Sequence, residues 1–161
     1  MQATHSGKAT VTVQGEKEIV ITREFEAPAR LVWRAVTEPD LVKRWWVGQR
    51  GDMTECEIDL RVGGRWRYAM RANEGQDVVF YGEFREIEPE RRIVQTEIFA
   101  PFPDDAALDT MTLTESEGRT TLQTLVQHGT CEARDMHIAS GMEGGMQEAF
   151  DKLEEVARSL D

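Results

Sequence analysis

The chain has 161 residues, 40% of them apolar and 30% charged, and a formal net charge of −11. One domain with a single substantial core is the expectation at this length. An acidic surface repels phosphate backbones and anionic bilayers, so nucleic acid and membrane surfaces are excluded as favoured partners, and no apolar run approaches the ~20 residues of a spanning helix.

Residues 1–9 are small and polar and carry no apolar leader, so disorder there and a cytoplasmic location are expected. Thr10 to Val13 reads as a short strand before the turn-like Gln14-Gly-Glu-Lys. From Glu18 to Glu26 the chain alternates, with Ile19, Ile21, Arg23 and Phe25 on one face of a strand. Pro28 suits the first turn of a helix carrying Leu31, Val32, Ala35 and Val36. Thr37 is placed to cap a second short helix from Pro39 to about Trp46. Trp45 and Trp46 are adjacent there and cannot face the same way, so one is expected in the core and the other at a cavity mouth or partner surface.

Cys56, Ile58 and Leu60 alternate with charged residues, as do Trp66, Tyr68 and Met70. A three-residue loop, Val62 to Gly64, would pair Leu60 with Trp66, Ile58 with Tyr68 and Cys56 with Met70, which puts the apolar residues on one face. Val78 to Ile87 reads as a strand with Phe80, Gly82 and Phe84 on one face. Ile93 to Phe99 is the next, and Leu108–Glu115 with Thr120–Gln127 forms a hairpin around Glu117-Gly118. Glu132 to Ala139 reads as a short helix. The final helix opens with a capping box, Ser140 with Glu143. Met142, Met146, Ala149, Phe150, Leu153 and Ala157 share its apolar face. Two methionines and two glycines give it a soft, roomy front end, suited to a cavity lid or to plain core packing. Strands in succession followed by one long helix predict an α+β two-layer domain built on an antiparallel sheet.

Few residues announce chemistry. His5, His128 and His137 lack the mutual spacing of metal ligands, and Cys56 and Cys131 form no Cys-x-x-Cys pattern, so no metal, no cofactor and reduced thiols are expected. Neither a nucleophile elbow nor a phosphate loop is present. Glu97 lies in an apolar strand and is read as facing water, with a buried acid as the alternative. Arg134 and Asp135 read as a pair fixing the corner before the last helix. Trp66 and Tyr68 belong either to the core or to a cavity, where their N–H and O–H would hold a ligand.

Four segments carry a family resemblance. They are Phe25 to Trp46, with its Ala27-Pro-Ala and Trp45-Trp pairs; Asp59-Leu-Arg-Val-Gly-Gly-Arg-Trp-Arg-Tyr; Phe80-Tyr-Gly-Glu-Phe-Arg-Glu-Ile-Glu-Pro; and Arg134-Asp followed by Ser140-Gly-Met-Glu-Gly-Gly-Met. In this order they resemble the family named for an activator of a heat-shock chaperone's ATPase, within the START-like/polyketide-cyclase (SRPBCC) superfamily. The resemblance implies a helix-grip fold over residues 16–160, with a curved sheet around the C-terminal helix and a cavity between them. It does not imply one function, since the superfamily includes lipid carriers, cyclases, hydrolases and small-molecule sensors; the leading expectation is binding or transport of a small hydrophobic or amphipathic molecule, such as a lipid, polyketide or aromatic metabolite. Trp66, Tyr68, Met70, Phe80, Phe84, Met142, Met146 and Phe150 are the expected lining. A co-chaperone-like interaction domain and a cyclase or hydrolase remain as alternatives; the last requires an acid or histidine reaching the cavity, and no catalytic residue is assigned.

Overall fold

The computed structural model describes residues 8–160. Strands β1 (Thr10–Gln14) and β2 (Glu18–Phe25) lead into helices α1 (Ala29–Thr37) and α2 (Pro39–Val42). Six strands follow: β3 (Gly51–Ile58), β4 (Arg65–Ala72), β5 (Asp77–Glu88), β6 (Arg92–Phe99), β7 (Ala107–Ser116) and β8 (Arg119–Gln127). The chain ends in α3 (Cys131–Ala139) and α4 (Met142–Ser159). All strands join one antiparallel open sheet in the order β1-β2-β8-β7-β6-β5-β4-β3, with the C-terminal helix against it: the helix-grip α+β fold.

Alternation in β2 buries Ile19, Ile21, Arg23 and Phe25 together, because the period of a strand is two. The main core joins this face to α1 and α4 through Phe25, Leu31, Val32, Leu122, Leu153 and Ala157. On α4, Leu153 and Ala157 are fully buried. A side chain such as Leu153 contributes about 1.5–3 kcal/mol by leaving water. Among the described residues no helix is long and apolar enough to cross a membrane.

The β3–β4 hairpin departs from the predicted register by two residues. Ile58 pairs with Trp66 and Cys56 with Tyr68, so residues 59–64 form the loop and Leu60 stands exposed instead of facing Trp66. The loop is longer because its glycines bond onward to β5: the Gly63 N–H donates to the Phe84 carbonyl, and the Phe84 N–H to the Gly64 carbonyl, each at 2.9 Å. A shift of two preserves which side chains share a face, so the face assignment survives the register error. Arg61 pairs with Asp59 at 2.9 Å and does not face Arg65.

Four helix ends also differ from expectation, one of them the end of α2, which stops at Val42 and not near Trp46. Pro28 is the N-cap of α1, one position before its first turn. Thr37 lies inside α1 and donates its hydroxyl proton to the Trp33 carbonyl at 2.7 Å, leaving Glu38 as the N-cap of α2. The Ser140 capping box does not form. Ser140 closes α3, its Oγ donating to the His137 carbonyl at 2.6 Å. The N-cap of α4 is Gly141 at φ +83°, a left-handed conformation that glycine adopts without strain and that turns the chain between the two helices. The side-chain cap in this region belongs to α3, where Thr130 Oγ1 accepts from the Ala133 N–H at 3.0 Å.

Of the segment expected to be disordered, residues 1–7 lie outside the described residues. Ala9 is buried and tied at both backbone groups to the Gln147 side chain, at 3.0 and 2.8 Å.

Candidate functional site

A cavity of about 200 Å³ lies between the sheet and the helices. Its aromatic wall is built by strand alternation: Trp66 and Tyr68 project from β4, and Phe80 from the neighbouring β5. Trp46 closes over them, its ring edge-on to Tyr68 at 5.2 Å and to Phe80 at 5.6 Å. Trp45 is buried, its Nε1–H donating to the Ala35 carbonyl at 2.8 Å, and it too touches the cavity. The core position expected for one of the adjacent tryptophans is therefore taken by Trp45, but both contribute to the cavity wall. Phe150 enters from α4 and packs edge-on to Phe25 at 5.7 Å. From Phe80 the rings continue outward through Phe99 at 5.1 Å to Phe102 at 5.9 Å, and both of these reach the surface.

The floor is polar. In the β6–β7 ladder Ile93 faces Met111 and Gln95 faces Asp109, with Glu97 one alternation further on the same side. Thr124 of β8 completes it opposite Met111. These side chains line the cavity, so Glu97 faces inward; the expectation that it faces water is corrected. The face containing Ile93, Gln95 and Glu97 was legible, but α4 covers that side of the sheet.

Asp109 is the most perturbed acid. Its Oδ1 is shielded from solvent and has no hydrogen-bond partner among the described residues. Burial first, then the Glu97 charge and a hydrogen bond with Glu97, raise its pKa well above the ordinary 3.8. An acid so placed is disposed to hold its proton, because burial and a neighbouring carboxylate both disfavour its charged form. Burial, and then the proximity of Cys56 and Glu97, hold Tyr68 in its phenol form. Among the described residues no lysine or arginine lines the cavity.

Beside this floor, His128 Nε2 and His137 Nδ1 lie 3.0 Å apart. Both pKa values are lowered, chiefly by burial, with Glu97 opposing the shift in each. No group of three His, Cys, Asp or Glu among the described residues is arranged to hold a metal ion. His5 lies outside the described residues.

Four of the eight residues expected to line the cavity do so: Trp66, Tyr68, Phe80 and Phe150. Trp66 also donates its Nε1–H to the Thr96 carbonyl at 3.0 Å. Phe84 is buried in the main core. Met70 lies toward the far end of β4, paired with Met53. Met142 and Met146 pack against the satellite core of Ile19, Ile21, Ala107 and Val126. The space beside Gly144 and Gly145 is taken by the Arg50 side chain, which pairs with Glu148 at 3.5 Å. The front of α4 is therefore a docking point for the 43–50 segment, and the cavity opens beside its middle.

Asp109 was not singled out from sequence. Its signal was present: it shares a strand face with Met111 and Leu113, whose alternation marks a covered side. Arg134 behaves as read. It is buried, bonds Asp135 at 2.9 Å, and donates to the carbonyls of Gly15 and Glu18 at 3.2 Å, fastening α3 to the β1–β2 turn.

The family model described as activator of Hsp90 ATPase homolog 1-like protein matches residues 26–158. A crystal structure of a Rhodobacter sphaeroides protein is 28% identical, with a TM-score of 0.87 over 94% of this chain and 99% of that one. A Nitrosomonas europaea protein is 27% identical, with a TM-score of 0.81 over 91% and 97%. An Arthrobacter aurescens protein solved by NMR is 25% identical, with a TM-score of 0.82 over 93% and 91%. No functionally curated protein matches the sequence.

Proposed function

The chain belongs to the activator of Hsp90 ATPase homolog 1-like family, and on that premise we propose that it binds a small aromatic molecule in the cavity between its sheet and α4. The carrying observation is the cavity itself, walled by Trp46, Trp66, Tyr68, Phe80 and Phe150 over a floor with a few polar groups. Apolar walls with sparse polar handles are the usual make-up of a small-molecule site. Its size narrows the ligand class. About 200 Å³ lies between the ~150 Å³ that accepts benzene and the ~300 Å³ at which sites for drug-sized ligands begin. A one- or two-ring compound suits that space better than a long-chain lipid.

Quenching of tryptophan fluorescence on titration with small aromatic compounds tests this, since Trp46 and Trp66 face the space. Thr124→Phe, which fills the floor, is expected to abolish saturable binding while the protein stays folded. Val13→Trp, on the exposed edge strand β1, acts far from the lining and is expected to leave binding within about twofold, because well-separated sites change little together. Equal loss in both variants, or no saturable binding by wild type, would overturn the reading.

A catalytic role is the second reading, and Asp109 is what favours it, because an acid at the cavity floor with its pKa raised by burial is the group a cyclase or hydrolase would need. Turnover of a bound compound that stops in Asp109→Asn would move the assignment there; binding without turnover leaves the carrier reading in place.

A further inference from the structure

We propose that the Glu97–Asp109 pair is a recognition site for a cationic nitrogen, so that the cavity's ligand is an aromatic or alkyl-aromatic amine. The inference rests on the ligand-binding reading above and names the chemical class.

Three observations on different parts of the cavity converge. The first is the unpartnered acceptor. Asp109 Oδ1 is shielded and accepts no hydrogen bond from the described residues. Buried polar groups in folded proteins nearly always have partners, and an acceptor is satisfied only by a donor. The second is charge. Two carboxyl groups, Glu97 and Asp109, face one cavity, and among the described residues no lysine or arginine lines it to pair with them. The outward-facing acids behave differently: Glu55, Glu83 and Glu86 on the same sheet each pair with an arginine. The third is the aromatic wall. Trp46, Trp66, Tyr68 and Phe80 surround the space above the acids, and the faces of such rings attract cations. A group that donates hydrogen bonds, bears positive charge and sits among π-faces is an ammonium or a protonated ring nitrogen. The chain's net charge of −11 draws cations toward the protein in general.

Ligand and proton then compete for the same oxygen atoms. Before binding, burial and the nearby Glu97 favour the protonated form of Asp109. A bound ammonium replaces that proton as the source of positive charge, and the proton leaves to solvent. The other ionisable groups around the floor are Tyr68 on β4, His128 after β8 and His137 on α3, with Asp105 and Arg134 acting on His128. Both histidines are disposed to be neutral, so they do not oppose a cation at neutral pH.

The test compares three probes of nearly one shape: 2-phenylethylamine, 2-phenylethanol and n-propylbenzene. Their affinities are measured by calorimetry on the full chain at neutral pH. The amine is expected to bind roughly tenfold or more tighter than the hydrocarbon, the scale of a charge-assisted hydrogen bond. The alcohol, a donor without charge, should fall between them. Amine binding should release a proton, read from the heat in buffers of different ionisation enthalpy, since the ammonium displaces the one that Asp109 is disposed to hold. Amine affinity should rise with pH as Asp109 gives up its proton. Histidine deprotonation runs in the same direction, so Asp109→Asn separates the two. In Asp109→Asn, and independently in Glu97→Gln, the amine should lose its advantage while propylbenzene binds as in wild type, which also reports an intact cavity. Propylbenzene or phenylethanol binding as tightly as the amine would overturn the cation site and leave the aromatic carrier standing. Retention of the amine preference in both variants would do the same. Failure of all three probes to bind wild type would overturn both.

Discussion

Gly82 faces Trp66 across the β4–β5 ladder, and a Cβ at this position would run into the Thr96 carbonyl and the indole nitrogen of Trp66. The absent side chain is what lets the indole lie flat over the sheet and donate to Thr96 at 3.0 Å. Gly82→Ala is therefore expected to destabilise by about 1–3 kcal/mol through overpacking, read as a lower urea midpoint. It should also weaken aromatic-probe binding, because Trp66 forms part of the cavity wall. An unchanged midpoint would mean that β5 and β6 separate easily. The two thiols differ as clearly. Burial pushes the Cys56 thiol up to about 11, and Cys131 is exposed on α3. A thiolate-specific reagent should modify Cys131 first and leave Cys56 for the unfolded chain, because reactivity follows thiolate fraction and access.

At the scale of elements, the grip on α4 is partly ionic. Arg23 is 2% exposed on the buried face of β2 and reaches Asp151 at 2.8 Å and Glu154 at 3.3 Å on α4. Its guanidinium lies 4.9 Å from the Phe25 ring centre. The two partners are unequal to their arginine: the Asp151 side chain is 58% exposed and can be rehydrated, while Arg23 cannot. Removing the acids should therefore cost more than removing the base. The double change Asp151→Asn with Glu154→Gln strands a buried cation and is expected to cost about 3–5 kcal/mol, whereas Arg23→Met keeps the volume and should cost less. Denaturant melts of the two variants decide it, and the reverse order would show that the packing and ring contact of Arg23 itself outweigh the cost of leaving it unpaired. Sequence held a clue to this clamp that β2's alternation alone did not resolve: an arginine on a buried face needs acids, and α4 offers two of them three residues apart. Other element-level features were out of reach for a physical reason. The β3–β4 register depends on Gly63 and Gly64 bonding to β5, a long-range choice that leaves face alternation untouched. The true start of α4 depends on a left-handed Gly141, which competes with a capping pattern that looks complete on paper.

For the molecule as a whole, element order, the antiparallel sheet and the apolar faces were legible because periods of two and 3.6 record local burial. The site was only half legible, because periodicity says which face is covered and not whether the cover touches it. Phe84, Met142 and Met146 sit under close-packed cover, while Ile93, Gln95 and Glu97 sit under a gap. That gap gives the protein a pH response made of two opposing parts. Asp109 is raised above its ordinary 3.8, so between 3.8 and its folded value the native state binds more proton than the unfolded chain, and stability falls as pH rises through that window. His128 and His137 are lowered from their ordinary 6.5. Below 6.5 the unfolded chain binds more proton, so their contribution is lost as pH falls. The first window opens upward from 3.8 and the second downward from 6.5, so the two contributions to the wild-type slope have opposite sign. Substitution should separate them. Asp109→Asn is expected to leave stability rising with pH below 6.5 and to raise the melting temperature at neutral pH, where ionising this buried acid is unfavourable. His137→Phe should tilt the slope the other way. Melting curves of wild type and both variants across both windows make the measurement. Parallel curves for all three would place Asp109 in ordinary contact with water, and the cavity floor would then lack the strained acid on which cation recognition depends.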